Sequence, residues 1–416
     1  MQNDIPLVIE QLPARRRSLR VAVVTETYPP EVNGVALSLA RFVEGLRERN
    51  HDIQLVRPRQ TQADRPETLA SYSEVLTRGV PIPRYPELKM GLPAKRLLIR
   101  QWTLDRPDVV HVVTEGPLGW SAMQAALKLK IPLCSDFRTN FHAYSGHYGI
   151  GWLKKPILGY LRKFHNRTQM TLVPTEQMRA QLTALGFRGV QVLSRGVDAQ
   201  LFSPGKRSEA LRSEWGATPG TLVCVYVGRL ASEKNLDLLA KAFEHLVAKQ
   251  PNAKLVLVGS GPEEDALRRR LPQAIFTGTL RGEALARHYA SADLFVFPSL
   301  TETFGNVTVE AMASGLAVLA FDHAAASEHV VQGSAGALAC AGQWDDFLLQ
   351  SAHIAGLHAR NPAVLRAMGA EGRKVAEALD WSALIERLET LLYTVACTPQ
   401  SVPSGSFRSE IAPMAR

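Results

Sequence analysis

Short apolar runs alternate with longer stretches in which apolar positions recur every three or four residues, and this rhythm fills most of the chain. The first run, Leu19–Thr25 (LRVAVVT), is nearly continuous, as a strand buried on both faces must be. A polar, proline-rich loop follows at Glu26–Gly34 (ETYPPEVNG). Val35–Arg49 then sets Leu39, Phe42, Val43 and Leu46 on one side of a predicted helix. Further strands are predicted at Ile53–Val56, Val109–Val113 and Pro132–Phe137, with helices at Trp120–Lys130 and at Thr175–Leu185, the latter closed by Gly186. Strands and helices in this alternation imply a parallel sheet covered on both faces.

Gly196–Gly205 (GVDAQLFSPG) has turn residues at both ends and no periodicity, and reads as an interdomain linker. Beyond it the rhythm restarts. Strands are predicted at Leu222–Val227, Lys254–Val258, Leu294–Pro298 and Ala317–Phe321. Helices are predicted at Leu236–Lys249, Glu263–Leu271 and Asn306–Ser314, then at Asp346–His358, Ala363–Glu377 and Ser382–Tyr393. The pattern predicts an α/β protein with two Rossmann-like, doubly wound domains facing across a cleft, residues 19–196 and 206–378. Residues 1–18 read as a flexible basic N-terminus. The Ser-, Pro- and Gly-rich stretch 397–416 reads as a disordered tail.

Composition adds constraints. A chain of 416 residues exceeds one ordinary core. The net charge of +9 is uneven: residues 1–200 carry 28 Lys and Arg against 17 Asp and Glu, and residues 201–416 carry 20 against 22. The two domains should therefore meet different partners, the first suiting an anionic acceptor or membrane surface. Nucleic acid is not an expected partner, because aromatics are sparse there and no nucleic-acid motif is visible. No apolar run approaches the roughly 20 residues of a membrane-spanning helix, and the N-terminus lacks signal-peptide character, so a cytoplasmic protein is expected. Cys134, Cys224, Cys340 and Cys397 are widely spaced and read as small buried apolar residues.

Open α/β sheets bind ligands beyond the carboxyl ends of their strands. Four such loops carry candidate chemistry. In Pro298–Glu310 (PSLTETFGNVTVE), Glu302 lies in a loop and Glu310 in the next helix. Phe304-Gly305-Asn306 leads into that helix, whose free N–H groups, Asn306 and Val307 among them, suit a phosphate. Val227–Asn235 (VGRLASEKN) sets Arg229 and Lys234 where two cations could neutralise a diphosphate, although Glu233 beside Lys234 also permits a plain ion pair. Asn33-Gly34 precedes a helix and offers backbone amides. Ser135–Tyr148 (SDFRTNFHAYSGHY) supplies Asp136, Arg138, His142 and His147 after a strand end. No D-x-D triplet is present to hold a metal. VGSGPEE (Val258–Glu264) is a weak dinucleotide signal, without a third glycine or an acid at the expected distance.

Together, the PPEVNG loop, GVDAQLFSP, GRLASEKN and SLTETFGNVTVEAMASG resemble the retaining glycosyltransferases of family 4, with the two-Rossmann GT-B fold, over roughly residues 19–395. The resemblance implies a nucleotide-sugar donor and no metal or other cofactor. It implies that Arg229 and Lys234 hold the donor diphosphate and that Glu310 binds the ribose. Glu302 and the backbone of Phe304, Gly305 and Asn306 would hold the donor sugar and phosphate. Gly34 would belong to the N-domain phosphate loop, and His142 would lie near the transferred sugar, with His147 the alternative. It also implies that a helix over about 380–395 crosses back to the first domain. PPEVNGV and TNFHAYSGHYG look most like bacterial α-mannosyltransferases using GDP-mannose and related glycolipid-forming enzymes, hence a lipid-linked or saccharide acceptor. A UDP-sugar donor and a non-catalytic sugar-nucleotide-binding protein stay open. Asp322–Gly336 lacks the usual glycine-rich turn, with Glu328 matching its acid. Finally, Gly151–Arg167 (GWLKKPILGYLRKFHNR) is basic and amphipathic and suits an anionic membrane surface, with positive charge nearby at Lys89–Arg100.

Overall fold

The computed structural model describes residues 17–31, 33–82, 85–138 and 154–398. Its first sheet contains β1 (Arg20–Val24), β2 (Asp52–Pro58), β3 (Thr68–Leu69) and β4 (Tyr72–Thr77). An antiparallel hairpin, β5 (Gly79–Ile82) and β6 (Tyr85–Gly91), stands apart from it. The sheet resumes with β7 (Val109–Val112), β8 (Leu133–Asp136), β9 (Met170–Val173) and β10 (Val190–Val192). The strand order is β10-β9-β8-β7-β1-β2-β4-β3, and every pair is parallel except β3–β4. The helices of this domain are α1 (Gly34–Glu48), α2 (Lys95–Leu104), α3 (Pro117–Leu129), α4 (Lys154–His165) and α5 (Glu176–Ala184).

Alternation along β1 explains the two-sided packing. Val21 and Val23 face the layer of Leu39, Phe42, Val43 and Leu46 from α1. Ala22 and Val24 face Leu98, Trp102, Leu118 and Ala122 from α2 and α3. Burial on both sides is why the strand reads as an unbroken apolar run.

The second domain contains α6 (Glu209–Glu214), α7 (Leu236–Lys249), α8 (Glu264–Arg270), α9 (Gly282–Ala290), α10 (Asn306–Ala313), α11 (Ala324–His329), α12 (Trp344–Arg360) and α13 (Ala363–Glu377). They flank six parallel strands, β11 (Val223–Val227), β12 (Lys254–Val258), β13 (Ile275–Gly278), β14 (Leu294–Phe297), β15 (Ala317–Phe321) and β16 (Gly336–Ala339), in the order β13-β12-β11-β14-β15-β16. The order reverses between β11 and β14 here, and between β1 and β7 in the first domain. Those two switch points are where loops diverge and leave a crevice.

The chain crosses between domains twice, and the crossings lie against each other. Val197 N–H donates to Leu379 O at 3.2 Å. A Cβ on Gly196 would come within 2.9 Å of Trp381 Cδ2, so glycine is needed for close approach. After the second crossing, α14 (Trp381–Cys397) lies on α1 and buries Ile385, Leu388, Leu391, Leu392 and Val395 in the first domain's core. Cys134 and Cys224 are buried, but Cys340 and Cys397 are exposed. The reading of all four as buried is corrected for those two, which follow β16 and end α14.

Candidate functional site

The second domain contributes the better-defined wall. Behind β11, Tyr226 Oη donates to Arg229 O at 3.0 Å and holds the loop that carries the two cations. Asn235 sits in the left-handed region (φ 53°), and its Nδ2 donates to Pro298 O at 2.9 Å, tying this loop to the one after β14. Lys234 Nζ donates to Glu302 Oε1, and Ser299 Oγ donates to the same oxygen at 3.0 Å. Burial opposes ionisation of Glu302. The Lys234 charge and these hydrogen bonds outweigh it and hold the carboxyl below its ordinary value. Arg229 pairs with Glu233, whose side chain is wholly buried. Glu233 thus meets Arg229, four residues before it, while Lys234 reaches across to the β14 loop.

Gly305 takes φ 91° and caps α10, a conformation that costs a side-chain-bearing residue but not glycine. Phe304 is buried in the core, so its backbone alone faces the loop. Asn306 opens the helix, and Val307, half-buried, accepts from Tyr289 Oη through its carbonyl at 3.3 Å. Tyr289 Oη also lies 3.1 Å from Glu310 Oε2. Burial pushes the Glu310 carboxyl up to about 7, against the lowering effect of that hydrogen bond.

Across the crevice, Asn33 Oδ1 accepts from the N–H groups of Val35 and Ala36 at 3.1 and 2.8 Å, capping α1. Gly34 follows, and a Cβ there would lie 3.3 Å from Asn306 Nδ2. Asp136 is buried between His111 Nε2, at 2.7 Å, and Arg138 Nε. Burial raises its pKa, but the Arg138 charge and the hydrogen bonds to His111 and Arg138 hold the carboxyl below the ordinary range. Thr303 Oγ1 donates to Arg138 O at 2.9 Å, and Arg195 Nη1 to Asn306 Oδ1 at 3.3 Å, so the walls touch directly. Glu328 accepts from Glu176 N–H at the start of α5, which places it on an interdomain contact. His142 and His147 lie outside the described residues.

The structure thus brings Lys234, Glu302, Gly305, Asn306 and Gly34 together around the start of α10, with Arg229 beside them on the β11 loop and Glu310 one turn along the helix. A nest of this composition can hold an anion and several hydroxyls. A family model described as Glycosyltransferase Family 4 matches residues 32–201, and one described as Glycosyl transferases group 1 matches residues 221–355. A GDP-mannose-dependent alpha-mannosyltransferase of Corynebacterium glutamicum is 37% identical over 305 residues, 72% of this chain and 71% of that protein. The chain is a member of glycosyltransferase family 4. Another relative within reach is the sulfoquinovosyl transferase SQD2 of Arabidopsis thaliana, 29% identical over 403 residues, 94% of this chain and 76% of that one. Sucrose-phosphate synthase from Thermosynechococcus elongatus shares the GT-B fold, with a TM-score of 0.72 and 19% identity over 91% of this chain and 99% of that chain.

In this family 4 enzyme, the glycines of Val258–Glu264 serve packing. Added Cβ atoms on Gly259 and Gly261 would lie 2.0 Å from Gly228 O and 2.3 Å from Leu230 O. They let the β11 and β12 loops meet, which gives the dinucleotide-like G-x-G a packing role.

Sequence reasoning missed several polar groups at the first domain's switch point. Glu26 Oε1 accepts from Leu118 N–H at the start of α3 at 3.0 Å, and burial pushes its carboxyl up to about 7. Glu115 Oε1 lies 3.3 Å from His165 Nε2, whose Nδ1 is 2.8 Å from Ser135 Oγ. The available signal was position: Glu26 and Glu115 each follow a threonine at a strand end.

Proposed function

We propose that this glycosyltransferase moves mannose from GDP-mannose to a lipid-linked or saccharide acceptor, with retention of anomeric configuration and without a metal. The observation that carries the reading is the meeting of Lys234, Glu302 and the Gly305–Asn306 helix start at one switch point, facing Gly34 on the other. The names of the relatives favour the mannose donor. The cations of Arg229 and Lys234 are assigned the work of stabilising the departing diphosphate, because they lie on the loop after β11 beside the start of α10.

In this scheme the bond between the anomeric carbon and the phosphate oxygen breaks, its electron pair leaving with the diphosphate. The acceptor hydroxyl bonds to that carbon on the same face, and its proton passes to the departing phosphate oxygen. Glu310 accepts hydrogen bonds from the ribose, Glu302 from the transferred sugar, and His142 is assigned to the sugar's other side. The protein is proposed to work in the cytoplasm, at the inner face of the cytoplasmic membrane. No described helix is long and apolar enough to cross a membrane.

The membrane contact is narrowed by α4. Leu161 and Phe164 are buried in the core, while Lys155, Arg162 and Lys163 are exposed. Attachment through this helix is therefore electrostatic rather than by apolar insertion. Flotation with anionic liposomes should succeed at low salt and fail at high salt, and no binding at low salt would remove the membrane assignment. The transfer itself is tested by nucleotide release from GDP- and UDP-sugars, with the product's anomeric configuration read by NMR. Acceptor-dependent release of GDP with an α-linked product supports the proposal. Binding without release would leave a sugar-nucleotide sensor, and release only from UDP-sugars would replace the donor.

A further inference from the structure

The junction between the domains holds a cation that the proposed transfer does not use. Arg195, in the first crossing after β10, is only 5% exposed. Its Nη1 donates to Asn306 Oδ1 at 3.3 Å, and the guanidinium carbon lies 5.8 Å from the centre of the Phe304 ring. Its Nη2 is buried and has no hydrogen-bond partner among the described residues. Burial, and then repulsion from Arg138, pulls this guanidinium down to about 9, against attraction from Asp136 and Glu302, so it stays cationic at neutral pH.

A buried charge with an unfilled donor is costly, and a purely structural arginine would be fully paired. Three features converge at this point. One is the start of α10, with backbone N–H groups that no turn precedes. The second is Gly34, where a Cβ would come 3.3 Å from Asn306 Nδ2 and 3.7 Å from Arg195 Nη1. The third is the guanidinium itself, whose fork matches phosphate oxygens. A neutral hydroxyl would fill the donor without adding countercharge; an oxyanion does both.

We infer that Arg195 binds the distal phosphate of the nucleoside diphosphate sugar, as a third cation beside Arg229 and Lys234. The inference rests on the cleft being the donor site, and it assigns the first domain's side of the crossing a direct part in holding the leaving group.

The test is calorimetric titration of the full chain with GDP and with GMP, for the wild type, Arg195→Gln and Arg195→Lys, beside thermal melting without nucleotide. Arg195→Gln should lower the ratio of GDP to GMP affinity by about tenfold or more, the scale of one charged hydrogen bond. It should leave GMP binding unchanged and should not lower the melting temperature, and Arg195→Lys should recover part of the ratio. An unchanged ratio in a protein that binds GDP overturns this inference alone. That holds whether the variant raises only the acceptor KM, which would put an acceptor anion at Arg195, or only lowers the melting temperature, which would make the residue structural. If uridine nucleotides bind instead, UDP and UMP supply the same ratio. A wild type that binds neither diphosphate overturns the donor reading, and this inference with it.

Discussion

The two walls of the cleft hold their charges in opposite ways. On the second domain's wall, Lys234 and Arg229 each face a carboxylate, Glu302 and Glu233, so charge is balanced before any ligand arrives. On the first domain's wall, Asp136 is clamped by His111 and Arg138, while Arg195 keeps a donor unfilled among the described residues. The first arrangement can exchange an internal anion for a diphosphate at little net cost. The second is fixed by burial and cannot rearrange without opening the domains. Lys234 should therefore govern turnover, and Asp136 stability.

Asp136→Asn is the strongest way to break this contrast. It leaves Arg138 and His111 buried beside a neutral side chain and should destabilise the fold by about 3–5 kcal/mol, read by urea denaturation. A change near zero would show that the first wall is not held by its buried charges. Lys234→Ala should keep the fold and cut turnover by about 10²–10³-fold, equivalent to about 3–4 kcal/mol of barrier. Full turnover in that variant would remove Lys234 from the diphosphate.

Acidity sharpens the contrast next. If the Glu310 carboxylate receives the ribose, donor affinity should fall below about pH 7 by about tenfold per pH unit, and Glu310→Gln should abolish that dependence. In the free protein the sign follows from the raised value. Between the unfolded value of 4.5 and about 7 the folded state binds more protons, so stability declines as pH rises across that window. Glu26 contributes in the same direction and window, so Glu26→Gln should flatten the stability profile without touching the donor-affinity profile. The smallest effect is expected from Gly305→Ala, which forces a side chain into φ 91° and should cost about 1 kcal/mol of stability, measured by thermal melting.

Legibility in the sequence followed periodicity. Leu236–Lys249, Ala363–Glu377, Lys254–Val258 and Ala317–Phe321 begin and end where their apolar patterns do. Half-exposed β13, with none of its residues fully buried, gave no apolar run to find. The segment that holds the β5–β6 hairpin has prolines at 81, 83 and 86, which break up a strand pattern. The loops of the second wall stood out because their residues are close in sequence and follow strong strands. Arg195 did not, because it sits in an aperiodic stretch and its partner Asn306 is 111 residues away. The ion-pair partners show the same limit: the loop's turn delivers Glu233 to Arg229, and Lys234 to Glu302, 68 residues away. Adjacency along a strand–loop–helix segment locates a site, but the turn decides which charges meet.

The most direct test is a crystal structure of the protein with GDP bound. The account predicts the diphosphate at the start of α10, between Gly34 and Asn306, with Lys234 drawn from Glu302 onto a phosphate oxygen and Glu310 on the ribose. A diphosphate bound elsewhere, with the Lys234–Glu302 pair intact and the α10 start empty, would contradict it.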